Sequence, residues 1–270
     1  MYSILEHYLS TNHILMIGMI VTFILTFFLL EHPFSFLPSD QGRAFAVNGS
    51  LSKGKLRGVG FIFVLCFLIS SVLFLPIDVE YVIYAILLFA MMISGYLDDA
   101  SKTPWNEYKK GLIDLVISIV AVLTYMNFNS TTICFGADEI VIPKALFLIL
   151  GVILIWVSVN VTNCTDGVDG LCASLCSVTL LAFGVLFASV LQKYAMANFL
   201  FLSVLFAYLY FNSSPSSMLM GDAGSRALGF YIAVIALKST HPFIYILLAA
   251  VMIVDGGIGL VKIALKRFLK

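Results

Sequence analysis

The sequence predicts an all-α, polytopic integral membrane protein with a small β-hairpin, and three observations predict it. Of the 270 residues, 61% are hydrophobic, against roughly 45–50% in soluble domains, and the mean hydropathy is +1.05. The apolar residues gather into nine runs near the length of a membrane span. Threading those runs through a bilayer puts twelve of the fifteen Lys and Arg residues on one side, the bias that marks the cytoplasmic face.

A hydrocarbon core of about 30 Å needs roughly 20 apolar residues per helix. The runs fall at 13–30, 58–76, 80–97, 111–127, 144–161, 169–191, 195–211, 224–238 and 242–263. No Lys or Arg precedes the first run, so a cleavable signal lacks its basic n-region, and the run reads as a true span with the N-terminus outside. The segment 131–143 has two short β-prone stretches around Gly136, a hairpin pattern on the outer side. The eighth run is short and rich in Gly and Ala. In the ninth, Asp255 precedes Gly256 and Gly257, a pair that suggests a kink, and the basic, amphipathic tail that follows suits the inner interface. Residues 1–270 read as one membrane domain.

The charges and cysteines exclude several classes. Fifteen basic residues balance fifteen acidic ones, so there is no electrostatic case for nucleic acid. The five cysteines lack zinc-ribbon spacing and read as buried, reduced thiols. No HExxH, GxSxG or P-loop pattern occurs, which leaves zinc protease, serine hydrolase and NTPase chemistry without their residues. The four histidines lie outside the polar loops discussed next.

Five aspartates in three short loops, all on the basic side of the map, carry the functional signal. Asp98 and Asp99 close the third run in GYLDDASK. Carboxylates at a helix C-terminus face the negative end of the dipole, so this pair needs a partner, and Lys102 is one turn away. In NVTNCTDGVDGL, Asn160, Asn163, Asp166 and Asp169 offer oxygens suited to Mg²⁺ and amides suited to a nucleotide or sugar. In LMGDAGSRALG, Gly221, Asp222 and Ser225 open a helix whose N-terminus favours phosphate. Asp222 is there a metal ligand or a cap, and Arg226 is one turn further in. The loop 40–60 adds Arg43, Lys53, Lys55 and Arg57 for a diphosphate or anionic headgroups, and Asp255 is a further candidate because acids inside spans are rare.

Together these motifs resemble those of the polyprenyl-phosphate N-acetylhexosamine-1-phosphate transferases. Asp98-Asp99-Ala-Ser-Lys102 corresponds to the family's DDxxK, Asn160–Leu171 to NxxNxTDGxDGL, and Leu219–Ser225 to FMGDxGS. Thr165 before the DG favours the phospho-N-acetylmuramoyl-pentapeptide transferase branch. Arg226 stands where the family usually has leucine, and GKLRGVG replaces its GTPTMGG. The family has ten spans and a histidine-rich loop before the tenth, and both would lie beyond Lys270.

The resemblance implies an enzyme of the bacterial cytoplasmic membrane with its site on the cytoplasmic face. It would transfer phospho-MurNAc-pentapeptide from UDP-MurNAc-pentapeptide to undecaprenyl phosphate, with Mg²⁺ as cofactor, giving lipid I and UMP for peptidoglycan synthesis. Asp98, Asp99 and Asp222 would be catalytic and Asp222 with Asp169 would hold the metal. Lys53, Arg57, Lys102, Asn160, Asn163, Asp166, Asp169, Gly221, Ser225 and Asp255 would bind substrate. A homodimer is a possible assembly. The alternatives are a UDP-GlcNAc-dependent GlcNAc-1-phosphate transferase for teichoic acid or surface polysaccharide and, from another class, a cation transporter. A transporter would place its acids near the midplane of discontinuous helices, in an inverted repeat.

Overall fold

The computed structural model describes residues 1–32, 34–40, 42, 52–103, 105–136 and 138–268. All nine apolar runs become helical. After a short α1 (Tyr2–Leu5) come α2 (Thr11–Glu31), α3 (Gly60–Phe74), α4 (Val79–Asp99) and α5 (Glu107–Phe128). The hairpin follows, β1 (Thr132–Phe135) and β2 (Asp138–Val141), then α6 (Lys144–Thr165), α7 (Leu171–Leu186), α8 (Gln192–Asn212), α9 (Gly221–Lys238), α10 (Pro242–Leu248) and α11 (Ala250–Phe268). The predicted hairpin is an antiparallel pair in the register Thr132 to Val141 and Phe135 to Asp138.

The number of spans differs from the nine expected. Among the described residues five helices, α2, α4, α5, α6 and α8, are long and apolar enough to cross a membrane, or six spans if α10 and α11 count as one broken span. α3 and α7 have 15 and 16 residues, about 22–24 Å at 1.5 Å per residue, short of the hydrocarbon core. α9 falls out for another reason: it carries Asp222, Arg226 and Lys238 in 18 residues, every one of them buried. It is the centre of the bundle, packed by α3, α4, α5, α6, α7 and α10, so its polar residues meet protein rather than lipid.

The ninth run is broken, but not at its glycines. The chain bends by 78° between α10 and α11, at Ala249, where the α10 cap forms. Gly256 has a different task. A Cβ there would collide with the Val161 carbonyl, so the glycine lets α11 lie directly on α6. Its neighbour Asp255 is exposed.

Close backbone contact also fixes the N-terminus of α9. A Cβ on Gly60 would strike the Gly224 backbone, and one on Gly95 would strike the Asp222 carbonyl. α3 and α4 therefore press straight onto the first turn of α9. Beside them the segment 52–58 is held between two others: Asp40 donates to the Lys55 carbonyl (2.8 Å), Arg57 to Pro38 (2.8 Å) and Leu219 to Leu56 (2.8 Å). These backbone bonds deliver Arg57 to the junction of α3, α4 and α9.

Candidate active site

The C-terminus of α4 meets the N-terminus of α9, and that meeting organises the site. Asp99 accepts from the Ala223 backbone N–H at 3.1 Å. A carboxylate that sits unfavourably at the end of its own helix thus caps the positive end of another. Gly221 makes this possible. Its φ is +67°, and a Cβ there would collide with the Asp99 carboxylate. The sequence predicts a phosphate at this N-terminus; in the structure the protein's own Asp99 occupies it. Asp222 is not the cap. It lies within the first turn, while Met220 stands at the cap position without a side-chain bond.

Two cations tie the carboxylates together. Arg57 donates from Nε to Asp99 (2.8 Å), from Nη1 to Asp40 (3.2 Å) and from Nη2 to Asp222 (3.4 Å). Lys110, from the first turn and a half of α5, pairs with Asp98 and with Asp222 Oδ2, the latter at 3.0 Å. Asp98 also accepts from the Trp105 backbone at 2.7 Å. Burial opposes the charge on Arg57, but Asp99, Asp222, Asp40 and Asp166 outweigh it and hold its pKa above the ordinary value. Fully ionised, these four carboxylates share two cations among the described residues, which leaves two negative charges over within that set.

The exposed face of this cluster belongs to Asp222 and the cations. The side chains of Lys110 and Arg57 are 22% and 30% exposed, that of Asp222 is 9% and that of Asp99 is 0%. The Asn160–Leu171 loop flanks it. Asp169 accepts from the Ser216 backbone at 2.9 Å and lies 3.7 Å from Lys55, which donates to Ser216 Oγ. Asn212 staples the same loop to the strand-like segment before α9, accepting from Gly170 N–H (3.0 Å) and donating to the Met218 carbonyl (2.9 Å). Asp166 ends α6 within electrostatic reach of Arg57.

Several expected residues do other work. Lys102 is exposed and makes no hydrogen bond or ion pair among the described residues. α4 stops at Asp99, so the one-turn spacing to Lys102 never becomes helical, and Lys110 takes the position expected of it. Arg226 does not reach a phosphate: it is 1% exposed and pairs with Asp114 inside the bundle. Ser225, fully buried, donates to the Gly221 carbonyl and accepts from Asn163 (2.9 Å each). Asn160 donates to the Trp156 carbonyl of its own helix, Lys53 is exposed, and Asp255 lies outside the carboxylate cluster. Arg43 is outside the described residues. Asp40 and Lys110 join the cluster with no sequence motif to mark them. Asp40 sits outside the three acidic loops, and Lys110 is one of the twelve basic residues on the inner side of the map.

Among the described residues no three His, Cys, Asp or Glu side chains form a ready metal cage. Mg²⁺ seldom uses one. It keeps waters and takes one or two carboxylates plus substrate phosphates, and the Asp222 carboxylate, 9% exposed beside two partly exposed cations, suits that habit.

Glycosyl transferase family 4 matches residues 81–240, which hold all three acidic loops. A Treponema pallidum protein named phospho-N-acetylmuramoyl-pentapeptide-transferase is 35% identical over 93% of this chain and 76% of its own length. Proteins of the same name are 28% identical in Halalkalibacterium halodurans, over 90% of this chain and 81% of theirs, and 28% in Dictyoglomus thermophilum, over 60% and 54%.

Proposed function

The chain belongs to the phospho-N-acetylmuramoyl-pentapeptide-transferase branch of glycosyl transferase family 4, and from that premise we propose that it transfers phospho-MurNAc-pentapeptide from its UDP carrier to undecaprenyl phosphate, releasing UMP. The observation that carries the reading is the imbalance at the α4–α9 junction, where among the described residues four carboxylates share two partly exposed cations. Such a site attracts a divalent cation, and through it phosphates, to one edge of the bundle.

Asp222 and Asp169 would hold Mg²⁺, which would supply charge neutralisation for the two phosphate groups and for departing UMP. The chain's own residues do the rest. Lys110 and Arg57 already lie in the junction and face solvent, so they can turn donors toward phosphate oxygens without crossing the protein. Asp98, less encumbered than Asp99, orients the lipid phosphate or takes its proton. An oxygen of that phosphate attacks the sugar-linked phosphorus, and the bond from that phosphorus to UMP breaks. An anionic phosphate needs little activation, so direct attack is preferred to a carboxylate nucleophile. Asp99 holds α9 and Arg57 in place. Asn163 and Asp166 shape the nucleotide side. The basic side of the bundle, with the site, would face the cytoplasm.

The test is Mg²⁺-dependent UMP release from UDP-MurNAc-pentapeptide with a polyprenyl phosphate in detergent. Asp98→Asn and Asp222→Asn should each lose turnover by about 10²-fold or more. Full turnover in either variant removes that residue from the mechanism. Use of UDP-GlcNAc in place of the muramoyl donor would reassign the chain to GlcNAc-1-phosphate transfer.

A further inference from the structure

One buried ion pair plays no part in the mechanism above, and its placement is informative. Lys110 and Asp114 are four residues apart on α5, and Asp222 and Arg226 are four apart on α9. Residues at that spacing share a helix face. The two helices are therefore joined by two rungs: Lys110 to Asp222 at the site, and Asp114 to Arg226 one turn deeper. The rungs have opposite polarity. Arg226 lies one turn from Asp222 along α9, and Asp114 one turn from Lys110 along α5, so each charge of the deep rung attracts its neighbour in the upper one.

The deep rung is poorly made as a staple. Arg226 touches Asp114 only through Nη2 and Oδ1. Its Nε and Nη1 are buried and find no acceptor among the described residues. Leaving such donors unsatisfied is costly, and a buried pair is weak evidence for stability even when well bonded. A pair kept for packing would engage the whole guanidinium fork. What this pair does supply is a fixed dipole beneath the site.

Resting on the transferase reading above, we propose that Asp114 and Arg226 are positioning residues, whose polarity holds Lys110 and the Asp222 carboxylate in register for the phosphates. The pair acts through orientation rather than contact, for Arg226 is 1% exposed and cannot itself meet substrate. A misplacement of about 1 Å at the reacting groups can cost on the order of 10²-fold in rate.

The decisive variant keeps the pair and reverses it: Asp114→Arg with Arg226→Asp in the full chain. A staple works equally well in either direction. A positioning dipole then sets like charge against like at Asp222 and at Lys110. The expected result is a folded, monodisperse protein whose kcat for UMP release falls on the order of ten- to a hundredfold, and whose KM for the nucleotide sugar moves by less than about threefold. Asp114→Asn with Arg226→Gln covers the case in which the reversed pair does not fold: it removes both charges and keeps a hydrogen bond, and its kcat should fall by about tenfold. Wild-type kcat in a folded reversed variant overturns the proposal, as does wild-type kcat in the neutral pair when the reversed one does not fold. A wild-type chain that releases no UMP from either donor overturns the functional reading, and this inference with it.

Discussion

α4 and α9 are cross-linked by charge at both ends, and the two ends follow opposite rules. At the start of α4, Glu80 receives Lys238 on both oxygens, at 3.0 and 2.9 Å. Asn129 donates to Glu80 at 2.7 Å and accepts from Lys238 at 2.7 Å, and Tyr84 adds its hydroxyl at 3.2 Å. One anion meets one cation, both nearly buried. At the far ends of the same helices, Asp98, Asp99 and Asp222 meet cations supplied from outside the pair, by Arg57 and α5, and among the described residues negative charge is left over. The closed end satisfies itself. The open end holds its carboxylates in place without neutralising them, which costs stability and leaves a site.

The largest effect should come from the closed end. Lys238→Met leaves the Glu80 carboxylate buried with only neutral donors, and losing one partner of a buried pair costs about 3–5 kcal/mol. Chemical unfolding of the full chain in detergent should register that loss, while UMP release per folded molecule stays near wild type. Replacing both partners, Glu80→Leu with Lys238→Leu, should return stability to within about 1 kcal/mol of wild type, since an apolar pair of similar size is often as good. An unchanged midpoint in Lys238→Met would show that this pair is not the staple its geometry describes.

The open end should respond the other way round. Asp222→Asn removes one charge from an over-negative cluster and leaves Arg57 and Lys110 their other carboxylates. Its turnover should fall by about 10²-fold, or about 2.7 kcal/mol of transition-state stabilisation. Its unfolding midpoint should hold or rise. A variant that instead loses stability and activity in proportion would make the two ends alike, and the excess charge would then have no functional meaning.

The contrast also divides what could be read in the sequence from what could not. The three acidic loops stood out because acids are scarce in an apolar chain, and the hairpin stood out through two β-prone stretches around a glycine. Asp98 and Asp99 were legible as a pair in need of a partner, but the partner was not. Lys102 is near in sequence, whereas Lys110 becomes near only because α4 ends and α5 turns back. Arg57 was legible as a cation for phosphate, and its carboxylate partners were not, since they come from three separate segments. Arg226 resembled a phosphate ligand because it follows a glycine-flanked helix start; its burial follows from α9 being enclosed on every side, which no local pattern announces. Glu80 and Lys238 carry no motif at all, and only the packing of α4 on α9 brings them together.

The smallest effect lies beside the closed end and shows what burial adds to a charge pair. Asp78 precedes α4, accepts the Tyr81 N–H at 2.8 Å as its N-cap, and pairs with Lys193 from the start of α8. Burial pushes its pKa up, but the Lys193 bond, the Tyr81 bond and the charges of Lys193 and Lys238 together outweigh it and hold the carboxyl below the ordinary aspartate value. A carboxyl lowered in the folded state stabilises above its unfolded pKa and loses that contribution as pH falls through the folded one. Its side chain is 56% exposed, so water and salt screen most of the pair. Asp78→Asn keeps a good cap and removes only the charge. It should cost about 0.5 kcal/mol or less at neutral pH, and the difference should vanish below the depressed Asp78 pKa and shrink in high salt. Unfolding curves for the two proteins at pH 7 and near pH 3, at low and high ionic strength, measure it. A cost that persists in acid would belong to the cap, and the contrast between exposed and buried pairing at this end of the bundle would then rest on Glu80 and Lys238 alone.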